Sequence, residues 1–390
     1  MNNFNYYNPT QVVFGKGELE QLNALVPADA KVLITYGGGS VKKFGTLDSV
    51  KAELGKANRT ILEFGGIEAN PQFSTLMKAV EIVREEGIDF LLAVGGGSVM
   101  DGTKFIAIAA PATDYIGKEK ELMFSGFAPA PVDKAIPLGT VVTLPATGSE
   151  MNGFAVISDG HDKLPVFHPL TYPKFSVLDP ELTFTLPERQ IVNGVVDTFV
   201  HILEQYITYP VDGRFQDRVA EGVLQTLIEI GETTIKEPEN YDARANLVWC
   251  AAMALSGVVS AGVPQDWTTH MIGHEMTALF GLDHARTLAI VQAPLWKIRK
   301  EKKQAKLAQF AERVWGVTEG SESEKADLAI EKTEAFFRSL GMKTKLSEND
   351  ITEADIPKVI QSLEKHGMTA LSETGDFSLG HAEEVLKLAI

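Results

Sequence analysis

The chain has 390 residues, 44% of them hydrophobic and 23% charged, and a formal net charge of −16 at pH 7. That length suits two domains with sizeable cores. The acidity argues against nucleic acid or an anionic membrane as the main partner, because both are met by basic surfaces. The single cysteine, Cys250, excludes an intrachain disulfide and a cysteine-based metal site. Set in the apolar run LVWCAAMALSGVV, it reads as a small buried hydrophobe.

The N-terminal MNNFNYYNPT has neither the basic nor the apolar stretch of a signal peptide. The longest apolar stretches are interrupted by Gly, Ser or Pro short of a membrane span, so the cytoplasm is the expected location. KVLITY (31–36) is rich in β-branched residues and ends in GGGS. VKKFGTLDSVKAELG then reads as a helix, ILEFGG as a strand, and FSTLMKAVEIVREEG, opened by Pro71, as a second helix. FLLAV (90–94) is a strand ending in another GGGS, and VMDGTKFIAIAA follows as a helix. This alternation predicts a parallel sheet covered by helices on both faces.

Residues 112–136 dissolve into Gly, Pro and charge and read as a surface excursion. LGTVVTLPATGSE (138–150) resumes with a strand and a turn, and FAVISD and FSVLDP look like further strands. After Pro187 the period is helical to the C-terminus. The expected organisation is an α/β Rossmann-like domain with a parallel sheet, residues 1–185, followed by an all-helical domain, residues 186–390. The Lys-rich IRKEKKQAKLAQF from Ile298 reads as a solvated helix face.

Two groups of residues carry chemistry. Each GGGS follows a strand and opens a helix, where unpaired N–H groups and the helix dipole welcome an anion and glycine lets a phosphate approach. Gly95, Gly96, Gly97 and Ser98 are therefore candidates for a pyrophosphate. Ser98 with Asp101 also fits a capping box, so Asp101 is either a cap or a cofactor contact. Gly37-Gly38-Gly39-Ser40 carries no acid to grip a ribose 2′-hydroxyl, and Lys42 and Lys43 follow. If this turn meets an adenosine ribose, NADP is favoured over NAD; otherwise it is a plain tight turn. TLPATGSEMN (143–152) is a polar turn suited to a ribose or phosphate.

The second group is Asp197 and His201, four apart on a helix and so on one face, with His270, His274 and His284 downstream. Four of the eight histidines fall between 201 and 284; His161, His168, His366 and His381 read as surface or loop residues. The spacing fits either a metal site or satisfied core histidines, and it is not that of a zincin protease. Imidazoles with one carboxylate suit Fe²⁺ or Zn²⁺ rather than Ca²⁺ or Mg²⁺, and His274 is a candidate for catalysis as a proton carrier, or else a partner that supports one of the ligands. Phe154, Trp267 and Phe280 could shape an apolar pocket but equally suit ordinary core.

These motifs together resemble the iron-containing (group III) alcohol dehydrogenases, in the butanol-dehydrogenase-like, NADP-dependent aldehyde reductase branch. The resemblance runs through NPTQVVFGKG, YGGGSVKK, FGGIEANP, LLAVGGGSVMDGTK, TLPATGSEMN, NGVVDTFVHILEQY, AGVPQDWTTHMIGHEMTALFGLDHA and ERVW. It implies one divalent ion, Fe²⁺ or Zn²⁺, on Asp197, His201, His270 and His284. It implies NADP(H) on Gly38, Gly39, Ser40, Asn70, Gly95 to Ser98, Asp101, Thr143, Thr147, Asn152 and Lys163. It further implies a site in the cleft between two domains, a small alcohol or aldehyde as substrate, and a homodimer. Two other readings are a metal-dependent, nicotinamide-using lyase of the dehydroquinate-synthase type and a non-catalytic nucleotide- or metal-binding protein.

Overall fold

The computed structural model describes residues 1–124 and 128–390; residues 125–127, inside the predicted 112–136 excursion, lie outside the described residues. The chain forms two compact units. The sheet unit comprises Tyr7–Leu186 with Ala251–Ser256, and the helical unit comprises Met1–Tyr6, Pro187–Cys250 and Gly257–Ile390.

In the sheet unit the strands are β1 (Gln11–Phe14), β2 (Lys31–Tyr36), β3 (Thr60–Phe64), β4 (Phe90–Gly95), β5 (Leu138–Val142), β6 (Phe154–Asp159), β7 (Asp162–Phe167) and β8 (Phe175–Leu178). Six of them form one parallel sheet in the order β1-β8-β5-β4-β2-β3. The helices are α1 (Leu22–Leu25), α2 (Ser40–Lys43), α3 (Thr46–Leu54), α4 (Phe73–Glu86) and α5 (Gly97–Ala109). The pleat sorts the sheet's side chains onto two faces. Val32, Ile34 and Tyr36 of β2 pair with Phe90, Leu92 and Val94 of β4 and pack with Leu22 of α1 and Leu47, Val50 and Leu54 of α3. On the other parity, Thr35 shares a 2.6 Å hydrogen bond with Thr103 of α5. Eleven of the thirteen α5 residues are buried, as expected for a helix in the middle of a layer.

The structure departs from the sequence reading at several points of this unit. The helix predicted from Val41 to Gly55 is two helices, because Gly45 takes φ 81 between them. FAVISD is a strand as expected, but it lies outside the parallel sheet: β6 pairs antiparallel with β7 around Gly160, φ 63, at the first position of a two-residue loop. β1 and β7 went unrecognised as strands. Ser98 does not cap α5, whose N-cap is Gly96 with no side-chain bond.

The helical unit runs through α6 (Glu188–Tyr206), α7 (Arg214–Lys236), α8 (Tyr241–Ala254), α9 (Thr268–Phe280), α10 (His284–Arg313), α11 (Glu322–Ser339), α12 (Ile356–Lys365) and α13 (Leu379–Leu388). It is largely helical; Leu371 and Phe377 form an isolated antiparallel bridge. The Lys-rich stretch of α10 is not wholly solvated. Arg299, Lys303 and Lys306 are buried and pair with Asp376, with Asp266 and Glu373, and with Asp217. His168 is also buried, its Nδ1 accepting from Leu170 N–H at 3.1 Å. Cys250 is buried and free, and burial pushes its thiol pKa up to about 12. Among the described residues no helix is long and apolar enough to cross a membrane.

Candidate active site

The histidine cluster assembles where three helices of the helical unit meet. Asp197 and His201 lie one turn apart on α6, His270 is the third residue of α9, and His284 is the first residue of α10. The Nε2 atoms of His201, His270 and His284 lie 3.6, 3.8 and 4.0 Å from one atom, Asp197 Oδ1. The His201 and His270 rings stack at 4.6 Å, and the His284 ring lies 5.1 Å from that of His270. Asp197, His201 and His270 are buried, whereas the His284 side chain keeps 23% of its exposure.

These residues fit a metal ion. Asp197 Oδ1 and His270 Nε2 are buried without a hydrogen-bond partner, a costly condition unless something else binds them. The ligand atoms of Asp197, His201 and His270 all lie within 4.8 Å of one another. Burial alone would raise the Asp197 pKa, but the facing His201, His270 and His284 outweigh it and hold the carboxyl below its ordinary range. For His270, burial disfavours the imidazolium, yet Glu204 and Asp197 push its pKa up to about 9. The pocket is therefore built to hold positive charge, and its three imidazoles and one carboxylate match Fe²⁺ or Zn²⁺.

Local structure explains the convergence. Gly281, φ 66, ends α9 with an N–H bond back to Thr277 O, and α10 starts three residues later. Asp283, just before His284, is held by Arg189 of α6 and by Asn193 at 3.0 Å. Glu204, one turn beyond His201, accepts from His270 Nδ1. Trp267 stands at φ 61, a strained conformation for a bulky residue. Its ring lies 6.2 Å from that of His201 and 5.2 Å from that of His270. His274 stands 4.8 Å from His284, ring to ring, and 6.0 Å from His270. Of the three candidate pocket aromatics, Trp267 alone flanks this cluster. Phe154 stacks on Phe167 in the β6–β7 hairpin, and Phe280 ends α9.

The sheet unit brings the other candidates together at the C-terminal ends of β2, β4 and β5. The chain passes from β2 to β3 on one side and then to β4 on the other, so β2 and β4 flank the point where strand order reverses, the usual crevice for a nucleotide in such sheets. Gly95 ends β4, Gly96 caps α5 and Gly97 opens it. Thr143 N–H donates to Gly95 O at 3.0 Å. The Thr147 side chain packs against Gly97. Ser98 Oγ accepts from Asn70 N–H at 3.2 Å, and Asn70 Oδ1 from Lys163 Nζ at 2.8 Å. Asp101 accepts from Ser149 Oγ at 2.6 Å and from Val156 N–H at 2.9 Å. Asn152 Oδ1 accepts from Phe154 N–H in its own turn and from Lys104 Nζ of α5, and its Nδ2 donates to Gly148 O.

Lys104 escaped the sequence reading. It is buried, and its ammonium also donates to Ser149 O, Ser149 Oγ and Phe154 O, each at 2.7 Å. Burial lowers its pKa to about 8 against the pull of Asp101 and Glu150. It ties α5 to the 149–154 turn, and a lysine three residues after Asp101 on the same helix was the available signal. At the end of β2, Gly37, Gly38 and Gly39 line a cavity of about 360 Å³ with Tyr36, Gly65 and Gly66. Ser40 is exposed at the start of α2. α2 is a single turn, so it lends little of the dipole expected there, unlike the thirteen-residue α5. Lys42 lies 4.9 Å over the Tyr36 ring and 3.4 Å from Glu63.

Comparison with known proteins agrees along the whole chain. The profile of the iron-containing alcohol dehydrogenases matches residues 9–180, and that of the C-terminal region of the Fe-containing alcohol dehydrogenase family matches residues 191–388. The chain is 54% identical to the NADPH-dependent aldehyde reductase YqhD of Escherichia coli strain K12, covering 100% of both. It is 39% identical to a probable NADH-dependent butanol dehydrogenase 1 of Bacillus subtilis strain 168, covering 100% of this chain and 99% of the other. A structure of the substrate- and cofactor-free aldehyde reductase YqhD from E. coli matches with a TM-score of 0.93 at 52% identity over 100% of both chains. One of NADH-dependent butanol dehydrogenase A from Thermotoga maritima matches with a TM-score of 0.93 at 34% identity over 100% of this chain and 99% of that one.

Proposed function

This chain belongs to the iron-containing alcohol dehydrogenase family, and from that membership we propose that it is a metal-dependent, NADP(H)-linked alcohol dehydrogenase or aldehyde reductase. Its substrates in this reading are short- to medium-chain aliphatic alcohols and aldehydes. The observation that carries the proposal is the convergence of Asp197, His201, His270 and His284 on one buried point, in a chain whose close relatives include an NADPH-dependent aldehyde reductase. The dehydroquinate-synthase-type lyase gains nothing from these relatives, which are dehydrogenases and reductases.

In this reading residues 186–390 supply the metal site and residues 1–185 the dinucleotide site. Asp197 and the three histidines hold the ion, which when bound supplies Lewis acidity to a carbonyl or alkoxide oxygen. NADP(H), when bound, would supply hydride chemistry at this site. The N-terminus of α5 with Gly95 to Ser98 receives the pyrophosphate, Asp101, Thr143, Thr147, Asn152 and Lys163 shape the surrounding groove, and Gly38, Gly39 and Ser40 receive the adenosine end. Asn70 orients Lys163. Trp267 walls His201 and His270, and His274 carries a proton beside His284. The enzyme works in the cytoplasm as a homodimer.

NADPH oxidation by Fe²⁺- or Zn²⁺-loaded protein with butanal tests this reading. Turnover that a chelator abolishes and the metal restores is expected. Absence of turnover by the loaded protein across a panel of aliphatic aldehydes would end the proposal.

A further inference from the structure

We infer that Glu204 is a positioning residue for the metal centre, fixing both the tautomer of His270 and the start of the helix that carries it. The inference rests on reading Asp197, His201, His270 and His284 as the metal site.

Glu204 lies on α6, seven residues after Asp197 and three after His201, and it is 4% exposed. A buried carboxylate needs partners, and the Glu204 side chain finds them in the first turn of α9. One oxygen, Oε2, meets His270 Nδ1. The other, Oε1, accepts from Thr269 N–H at 2.6 Å and His270 N–H at 3.3 Å.

The backbone contacts do the work of a cap. The residue at the N-cap of α9 is Trp267, which makes no side-chain capping bond. The first N–H groups of a helix lack intrahelical partners. Asp266 Oδ1 takes that of Thr268 at 3.2 Å, and Glu204 takes the next two. A carboxylate there also suits the helix dipole. The cap comes from another helix, so α6 sets where α9 begins and hence where His270 stands.

The contact with the ring decides which nitrogen is free. A carboxylate oxygen accepts, so the Nδ1 that faces Glu204 carries the proton. As a metal ligand the ring is neutral and has its lone pair on Nε2, the buried atom without a hydrogen-bond partner 3.8 Å from Asp197 Oδ1. Metal-bound histidines commonly donate their second N–H to a carboxylate in this way, and loss of that partner lowers metal affinity about 10- to 100-fold.

Glu204→Gln tests this with little change of shape. Its amide oxygen can still take the two backbone N–H groups, while its NH₂ faces Nδ1 and donates. Nδ1 must then accept, the proton moves to Nε2, and the ligand atom is blocked. Expected are a wild-type circular dichroism spectrum and NADPH affinity, with Zn²⁺ affinity by chelator competition lowered about 10- to 100-fold. An affinity within twofold of wild type would overturn the inference. If the variant fails to fold, long-range ¹H–¹⁵N NMR of zinc-loaded wild-type protein decides, with His270 assigned by its absence in His270→Asn. A proton on Nδ1 supports the inference, and a proton on Nε2 refutes it. Wild-type protein that binds no metal would refute the metal reading itself, an outcome distinct from both.

Discussion

The two GGGS turns are identical in sequence and opposite in physical reason. In the second turn packing demands glycine: a Cβ on Gly95 would come within 2.6 Å of Val99, and one on Gly97 within 2.4 Å of Thr147. In the first turn a Cβ on Gly38 or Gly39 would meet nothing within 4 Å. Gly39 is required by its φ of 105 instead, and Gly38 is left facing open space at the cavity. Three successive glycines exceed what a helix cap alone requires, which by itself would favour a ligand. For the turn at 95–97 that argument weakens, because close packing of strand, helix and the 143–147 turn already explains them. For Gly38 it strengthens, since neither packing nor φ accounts for it.

Substitutions can break this contrast. The largest effect is expected from Gly97→Ala, where the added methyl collides with a Thr147 side chain held against Ser149 N–H at 3.2 Å. A loss of about 1–3 kcal/mol is expected for such overpacking, read by urea unfolding, with partial recovery in Gly97→Ala/Thr147→Ala. Equal stability would mean that the second turn yields easily and that its glycines are not there for packing. Next comes Ser40→Asp in the exposed first turn. A carboxylate a few Å from a 2′-phosphate is repelled by about 1 kcal/mol or more, so NADPH should bind several-fold more weakly while NADH changes little. Unchanged discrimination would move the adenosine end away from this turn. The smallest effect on stability belongs to Gly38→Ala, within about 0.5 kcal/mol of wild type. Its KM for NADPH should nevertheless rise, and a KM equal to wild type would leave the open side of Gly38 without a function.

The same distinction explains what could be read in the sequence. Strands β2, β4 and β5 announce themselves because a buried parallel strand is a short run of apolar, β-branched residues. β1 has four residues, and β7 contains Lys163 and Pro165, so neither carries that signature; β7 exists through its pairing with β6. Asp197 and His201 were legible because helical spacing alone puts them on one face. Glu204 was not, because a glutamate in HILEQY resembles any solvated helical glutamate until the start of α9 is laid against it. Lys303 and Lys306 misled for the same reason. Their sequence is that of a wet helix face, and their acidic partners Asp217, Asp266 and Glu373 lie far away along the chain.

Arg189 has a side chain 64% exposed, yet it grips Asp283, the residue immediately before His284. Asn193 holds the same carboxylate from the next turn of α6. The first side chain of a helix can stand no more steadily than the residue that fixes where the helix starts. An arginine in water is thus the outer end of a lever whose inner end is an imidazole facing a buried carboxylate. Remodelling of this surface for solubility or crystal packing should treat position 189 as part of the interior.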